Sequence, residues 1–161
     1  MDVAMKDLLS RAMELAMKAH KGQTRWDKKT EYISHPIAVM NMIATNGFMG
    51  IVQVAAILHD VVEDTKITLV DLRRLCYPEE VVDAVDAISR RKDEEGAKED
   101  YLEYILRVKD NDIARIVKFF DITHNLSDGK VVGSMKDKYK MARHLIAMGD
   151  CNLEMMLKVT A

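Results

Sequence analysis

The sequence predicts an all-α domain, and three observations carry that reading. Apolar residues recur at the three-to-four-residue spacing of helices along nearly the whole chain. No alternating apolar and polar run competes as a strand, and no internal repeat or low-complexity tract interrupts the pattern. The 161 residues are 48% hydrophobic and 31% charged, enough for a sizeable core and a soluble surface in one domain of ordinary size. The expectation is therefore a single helical bundle over residues 1–161, built around its third helix.

Each element has a local reason. Leu8, Ala12, Leu15, Ala16 and Ala19 form one stripe of a first helix, and Gly22 with the polar run through Thr30 reads as a loop. His35-Pro36 reads as a helix start, because proline tolerates the first helical position. Val39, Met40 and Ile43 continue that helix and Gly47 ends it. Ile51, Val54, Ala55 and Leu58 build the third helix, which runs into His59-Asp60. Thr68 to Asp71 reads as a capping variant that opens a short helix. Pro78 opens the next, with Val81, Val82, Val85 and Ile88 inward, and Arg90 to Asp100 is a charged loop. A helix from about Tyr101 to Val108 follows. Ile113, Ile116, Val117 and Phe120 then form a stripe that leads straight into Asp121. After a loop from Ser127 to Ser134, two last helices cover roughly Met135–Met148 and Asp150–Val159. The twelve methionines are expected to fill gaps in the core.

Composition excludes some functions. A net charge of −2 argues against general nucleic-acid or anionic-membrane binding, yet permits a locally basic pocket for a phosphorylated small molecule. Cys76 and Cys151 form neither a metal-ligand pair nor a disulfide framework, and two reduced, partly buried thiols are expected. With no signal-peptide-like segment and no run of membrane-spanning length, the expected location is the cytoplasm. Self-association into a homo-oligomer is compatible with such a domain, although no stripe demonstrates it.

The chemistry concentrates in Leu58 to Thr65, which reads LHDVVEDT. One imidazole and three carboxylates fall within six residues there, between apolar positions suited to a core. At helical spacing, Asp60 and Glu63 share a face, as do His59 with Glu63 and Asp60 with Asp64. So much ionisable material beside a core calls for a partner, and a divalent cation suits it. His35, His59, Asp60 and Asp121 are the candidate ligands. Two imidazoles and two carboxylates suit manganese, iron or zinc better than calcium. Singly, each has a plainer reading: His35 as a helix cap, Asp121 as the partner of Lys118, His124 as a satisfied structural histidine. Together with Glu63 and Asp64, the metal reading is favoured.

AHKGQTR (Ala19 to Arg25), YISHP (Tyr32 to Pro36), AAILHDVVEDT (Ala55 to Thr65) and KFFDITHNL (Lys118 to Leu126) extend the pattern. In these motifs the chain resembles the HD-domain phosphohydrolases, and within them the hydrolase domain of RelA/SpoT homologues and the stand-alone small alarmone hydrolases. The resemblance covers roughly residues 8–145. It implies one manganese ion held by His35, His59, Asp60 and Asp121, with Glu63 and Asp64 positioning and activating the attacking water. It further implies release of pyrophosphate from the 3′ position of guanosine tetra- or pentaphosphate, leaving GDP or GTP. Arg25 resembles the family's guanine-stacking arginine, Asn125 the nucleoside-contacting asparagine, and Tyr139 the late tyrosine near the ribose or 5′ side. Lys28, Lys29, Lys136, Lys140 and Arg143 are further candidates for phosphate. With the chain ending at Ala161, a synthetase domain is not expected, so such a protein would degrade alarmone without making it.

The chain also departs from the pattern. Trp26 stands where many members have a basic residue, and the loop from Thr24 to Glu31 differs in length from several relatives. Ser127 stands two positions after Asn125, where relatives often have arginine. These departures fall on the nucleotide side of the site and spare the metal side. They keep a related phosphohydrolase of adenosine alarmones, NADPH or another nucleotide as the alternative. A non-catalytic nucleotide-binding regulatory module would be signalled by loss of a ligand or of Glu63-Asp64, and none is lost.

Overall fold

The computed structural model describes residues 2–129 and 131–159, and every regular element among them is helical. Helix α1 spans Val3–Ala19, α2 Ser34–Thr45, α3 Ile51–Leu58, α4 Val61–Asp64 and α5 Leu69–Arg74. Helix α6 spans Glu79–Ile88, α7 Tyr101–Lys109, α8 Asp112–Ser127, α9 Ser134–Ala147 and α10 Cys151–Val159. Among the described residues the β-type pairing amounts to two isolated bridges, Thr24 with Glu31 and Lys92 with Lys98, each closing a loop on itself.

Side-chain caps set several of the starts. Asp2 accepts from the Met5 amide at 2.8 Å to open α1, Asp100 accepts from Leu102 and Glu103 to open α7, and Asn111 accepts from Ala114 to open α8. Thr68 and Asp71 form a reciprocal capping box at α5: each side chain accepts from the other's backbone amide. Pro36 is the third residue of α2 rather than the first, still within the turn whose amides need no helical acceptor. Gly47 follows α2 with φ +87°, a conformation that side chains with a Cβ resist.

Helix α3 is the axis of the molecule. Its residues Gln53 to Leu58 are all buried, and it packs against α1, α2, α6 and α8. Ala12 and Ala16 of α1 are fully buried, and their small side chains let α1 approach α3 closely. Each fully buried aliphatic side chain such as Ile57 or Leu58 contributes about 2 kcal/mol of transfer free energy. Helix α8 packs on α2 and α6, with α9 beyond it and α7 against α9. No helix among the described residues is long and apolar enough to cross a membrane.

Two expectations need correction. The methionines do not fill the core: Met17, Met49, Met135, Met141, Met148 and Met155 are exposed, and others such as Met40 and Met42 only lean on the core from its edge. The interior is instead filled by Val, Ile, Leu and Ala, whose stiffer side chains pack the helix contacts. Cys76 is exposed rather than partly buried, because it follows α5 in a left-handed conformation (φ 58°) that turns the chain toward Tyr77. The Cys151 side chain lies outside the described residues.

Candidate metal centre

Four helices deliver the four candidate ligands. His35 is the second residue of α2, His59 caps the C-terminus of α3, Asp60 caps the N-terminus of α4, and Asp121 sits inside α8. The sequence suggested one continuous helical face through Glu63 and Asp64; the structure breaks the helix at His59-Asp60. The hydrogen-bond ladder resumes only when the Asp64 amide reaches the Asp60 carbonyl at 2.9 Å. Adjacent residues of an unbroken helix diverge by about 100°. At this seam the two side chains converge instead, with His59 Nε2 only 3.0 Å from Asp60 Oδ2.

The ligand atoms form a closed ring. His35 Nε2 lies 3.0 Å from Asp121 Oδ1 and 3.7 Å from Asp60 Oδ2. His59 Nε2 lies 3.0 Å from Asp60 Oδ2 and 3.9 Å from Asp121 Oδ1. Neighbouring nitrogen and oxygen ligands of a first-row divalent ion, each about 2.1 Å from it, sit roughly 3–3.5 Å apart. His35 and His59 are 1% exposed and Asp121 is 4% exposed, whereas Asp60 is half-buried and is the ligand through which the ring meets solvent.

The chemistry of the ring asks for a cation. His59 Nδ1 lies 2.7 Å from the Ala56 carbonyl, which can only accept, so Nδ1 carries the proton. That leaves the lone pair of Nε2 facing Asp60 and Asp121. Nε2 is buried and has no hydrogen-bond partner, because Asp60 is near but out of line. A lone pair aimed at two carboxylates is repulsive until a proton or a metal ion comes between them. The titration of the site follows. Burial pushes His59 down, but the Asp60 carboxylate more than offsets this and lifts it to about 9. His35 is shifted downward, chiefly by burial. Burial opposes the charge on Asp121, yet Lys118 and then His35 hold it well below the ordinary carboxylate range.

A second layer orients these groups. Lys118 Nζ binds Asp121 Oδ2 at 2.8 Å, while Asn125 Nδ2 donates to Oδ1 at 2.6 Å. The ion pair with Lys118 does not preclude the ligand role expected of Asp121, since the pair uses Oδ2 and Oδ1 faces His35. His35 Nδ1 is 2.9 Å from His124 Nδ1. If His35 offers Nε2 to an ion, its Nδ1 donates to His124, which then keeps its own proton on Nε2.

The other expected residues separate into two groups. Asp64 joins the cluster: Tyr32 Oη lies 3.0 Å from Asp64 Oδ2 and 2.7 Å from Asp60 Oδ2. Desolvation, then the Asp60 charge, raises its pKa. Glu63 turns toward the loop between α6 and α7, where it accepts from the Arg90 amide at 2.9 Å and from Lys98 Nζ at 3.0 Å. Arg25 is buried and donates to Asn125 Oδ1 at 3.0 Å and to Asp128, with its guanidinium carbon 5.7 Å from the Tyr32 ring centroid. Tyr139 is half-buried on α9 and lies parallel to Tyr101, with ring centroids 6.3 Å apart. Lys28, Lys29, Lys136 and Lys140 are exposed, whereas Arg143 turns to Thr123 and the Phe119 ring. Trp26 is 56% exposed.

Sequence reasoning missed Tyr32 and Asp128. Tyr32 had a signal, its place three residues before His35 within YISHP. Asp128 lies one helical turn beyond His124 and Asn125, a spacing that carries meaning only once Arg25 is known to reach it.

Comparisons with known proteins give the family and the fold. The family profile described as HD domain matches residues 12–150. The bifunctional (p)ppGpp synthase/hydrolase SpoT of Escherichia coli (strain K12) is 31% identical over 134 residues, which is 80% of this chain and 18% of SpoT. The chain therefore spans less than a fifth of that relative's length. MESH1 of Xenopus tropicalis, named a guanosine-3′,5′-bis(diphosphate) 3′-pyrophosphohydrolase, is 32% identical over 126 residues, covering 76% of this chain and 70% of MESH1. A solved structure described as a metazoan ortholog of SpoT that hydrolyzes ppGpp has the same fold. It superposes with a TM-score of 0.75 at 24% identity, over 95% of this chain and 93% of that one. With most of its length matched by that profile, the chain belongs to the HD-domain family, among the homologues of MESH1 and SpoT.

Proposed function

We propose that this protein is a manganese-dependent, cytoplasmic hydrolase that removes pyrophosphate from the 3′ position of guanosine tetra- and pentaphosphate, leaving GDP or GTP. The observation that carries the reading is the buried ring of two imidazoles and two carboxylates, tied through Tyr32 to a further carboxylate, Asp64. The relatives named as (p)ppGpp hydrolases supply the substrate class.

His35, His59, Asp60 and Asp121 would hold the ion. When bound, it lowers the pKa of a coordinated water and offsets charge on phosphoryl oxygens. The chain's own groups do the rest. The Ala56 carbonyl keeps His59 in the tautomer that presents Nε2, and His124 can accept from His35 Nδ1 when His35 presents its own Nε2. Lys118 and Asn125 fix the Asp121 carboxylate from both sides. Asp64, made more basic by desolvation and by Asp60, takes the proton from the attacking water. Glu63, turned to the Arg90 amide and Lys98, would act on the water from the other side through its charge.

One observation favours a second substrate. Arg25 is buried and already committed to Asn125 and Asp128, so its guanidinium is not free to lie on a purine in this arrangement. With Trp26 exposed nearby, an adenosine alarmone or NADPH is the alternative for the same metal chemistry. Product analysis by anion exchange decides between them. Protein stripped of metal and reloaded with manganese should release GDP and pyrophosphate from guanosine tetraphosphate, and chelation or Asp60→Ala should stop it. No release from guanosine tetraphosphate, with release from an adenosine alarmone or NADPH, would transfer the assignment to that substrate.

Metal binding should depend on pH in a defined direction. Below about 9 the metal-free His59 carries a proton that the ion must displace, so one proton leaves per ion bound. Apparent manganese affinity should therefore rise about tenfold per pH unit between pH 6.5 and 9 and then level off. The same shift stabilises the metal-free fold fully below pH 6.5, and that stabilisation fades as pH rises through 9. Calorimetry in two buffers of different ionisation enthalpy counts the proton; a count of zero contradicts the assignment of His59.

A further inference from the structure

We propose that Tyr32 is a positioning residue whose single hydroxyl holds the metal ligand Asp60 and the water-handling carboxylate Asp64 in register. The proposal rests on the roles given to those two carboxylates above. Tyr32 enters from the loop before α2, and its Oη lies 2.7 Å from Asp60 Oδ2 and 3.0 Å from Asp64 Oδ2. Two like charges so close to one point repel, and a shared phenolic proton lying between them offsets part of that repulsion.

Asp64 needs such support because its own helix cannot supply it. Helix α4 has four residues, and its C-cap, Thr65, is already extended. The loop ahead of α2 grips Asp64 twice. Tyr32 holds its carboxylate, and Gln23 Nε2 donates to its carbonyl at 2.9 Å. The tyrosine ring is itself fixed. The His20 ring stacks on it with centroids 4.8 Å apart and planes 29° from parallel, and the Arg25 guanidinium carbon lies 5.7 Å from its centroid. His20 is 2% exposed and is tied by Nδ1 to Gln23 Oε1 at 2.7 Å. Gln23 thus joins the ring's support to the backbone of the residue the ring's hydroxyl positions. Packing alone would be served as well by phenylalanine; only the hydroxyl reaches the two carboxylates.

The test is a mutant cycle of Tyr32→Phe, Asp64→Asn and the double variant, with kcat, KM and manganese binding measured for each. Tyr32→Phe is expected to lower kcat about ten- to a hundredfold, leave KM within about twofold, and weaken manganese about tenfold, as loss of a group that orients a ligand does. The double variant is expected to be no slower than Asp64→Asn alone, because Tyr32 acts through Asp64. Rate losses that multiply, or an unchanged manganese affinity in a folded Tyr32→Phe protein, overturn the proposal. If the wild type turns over no alarmone, the proposed substrate falls while the manganese isotherms still decide the role of Tyr32. A wild type that binds no manganese overturns both.

Discussion

Asp64→Asn should reduce turnover by about a thousandfold while the protein keeps its full complement of metal. Loss of a positioned general base typically costs a hundredfold to ten-thousandfold. None of the four candidate ligands is touched by the change, and the amide still accepts from Tyr32 with its remaining oxygen. Glu63→Gln should also lower turnover with metal retained, but by less. An amide oxygen preserves its bond from the Arg90 amide and forfeits only the charge that Lys98 meets. Single-turnover assays with metal analysis of the same samples check both variants. Full activity in both would remove the water-handling role from this pair.

The second large effect is on stability. Lys118→Met should destabilise the metal-free protein by about 3 kcal/mol, because it strands the buried Asp121 carboxylate. For a chain of this size that corresponds to a fall in melting temperature on the order of 10 °C. Saturating manganese should recover part of the loss, since an ion beside Asp121 replaces the missing charge and binds only the folded state. Urea titrations with and without manganese measure both quantities. A loss below about 1 kcal/mol would mean that His35 and His59 alone neutralise Asp121.

Helix content and element order were legible because local rules decided them. Thr68 with Asp71, Pro78 and Gly47 each punctuate the chain through a bond or a dihedral confined to a few residues. The four candidate ligands were legible as residue types beside apolar stripes, and the fold brings them into one ring. What escaped was direction. The break at His59-Asp60 sends Glu63 and Asp64 to different partners, although a continuous helix would have kept them in step with the residues before the break. Arg25 was named for its chemistry, yet its partner Asp128 lies 103 positions away, a pairing that no local spacing encodes. The methionines misled for the same reason: composition records how many there are, and only tertiary packing says which way they face.

The burial of α3 has a consequence for how the centre breathes. Amide hydrogen exchange proceeds through local openings where packing is thin and only through global unfolding where it is dense. Gln53 to Leu58 are all buried at the axis of the bundle, so their amides should exchange only when the whole domain opens. His59 and Asp60 hang directly from that slow segment. The ligand geometry is then inherited from the part of the chain that fluctuates least. Motion needed to admit and release a nucleotide falls to the exposed stretch at 91–97, whereas Gln23 and Arg25 tie the loop before α2 to the site. Deuterium uptake should accordingly be fast at 91–97 and slowest at the base of the site, a gradient that would let substrates come and go without disturbing the ion.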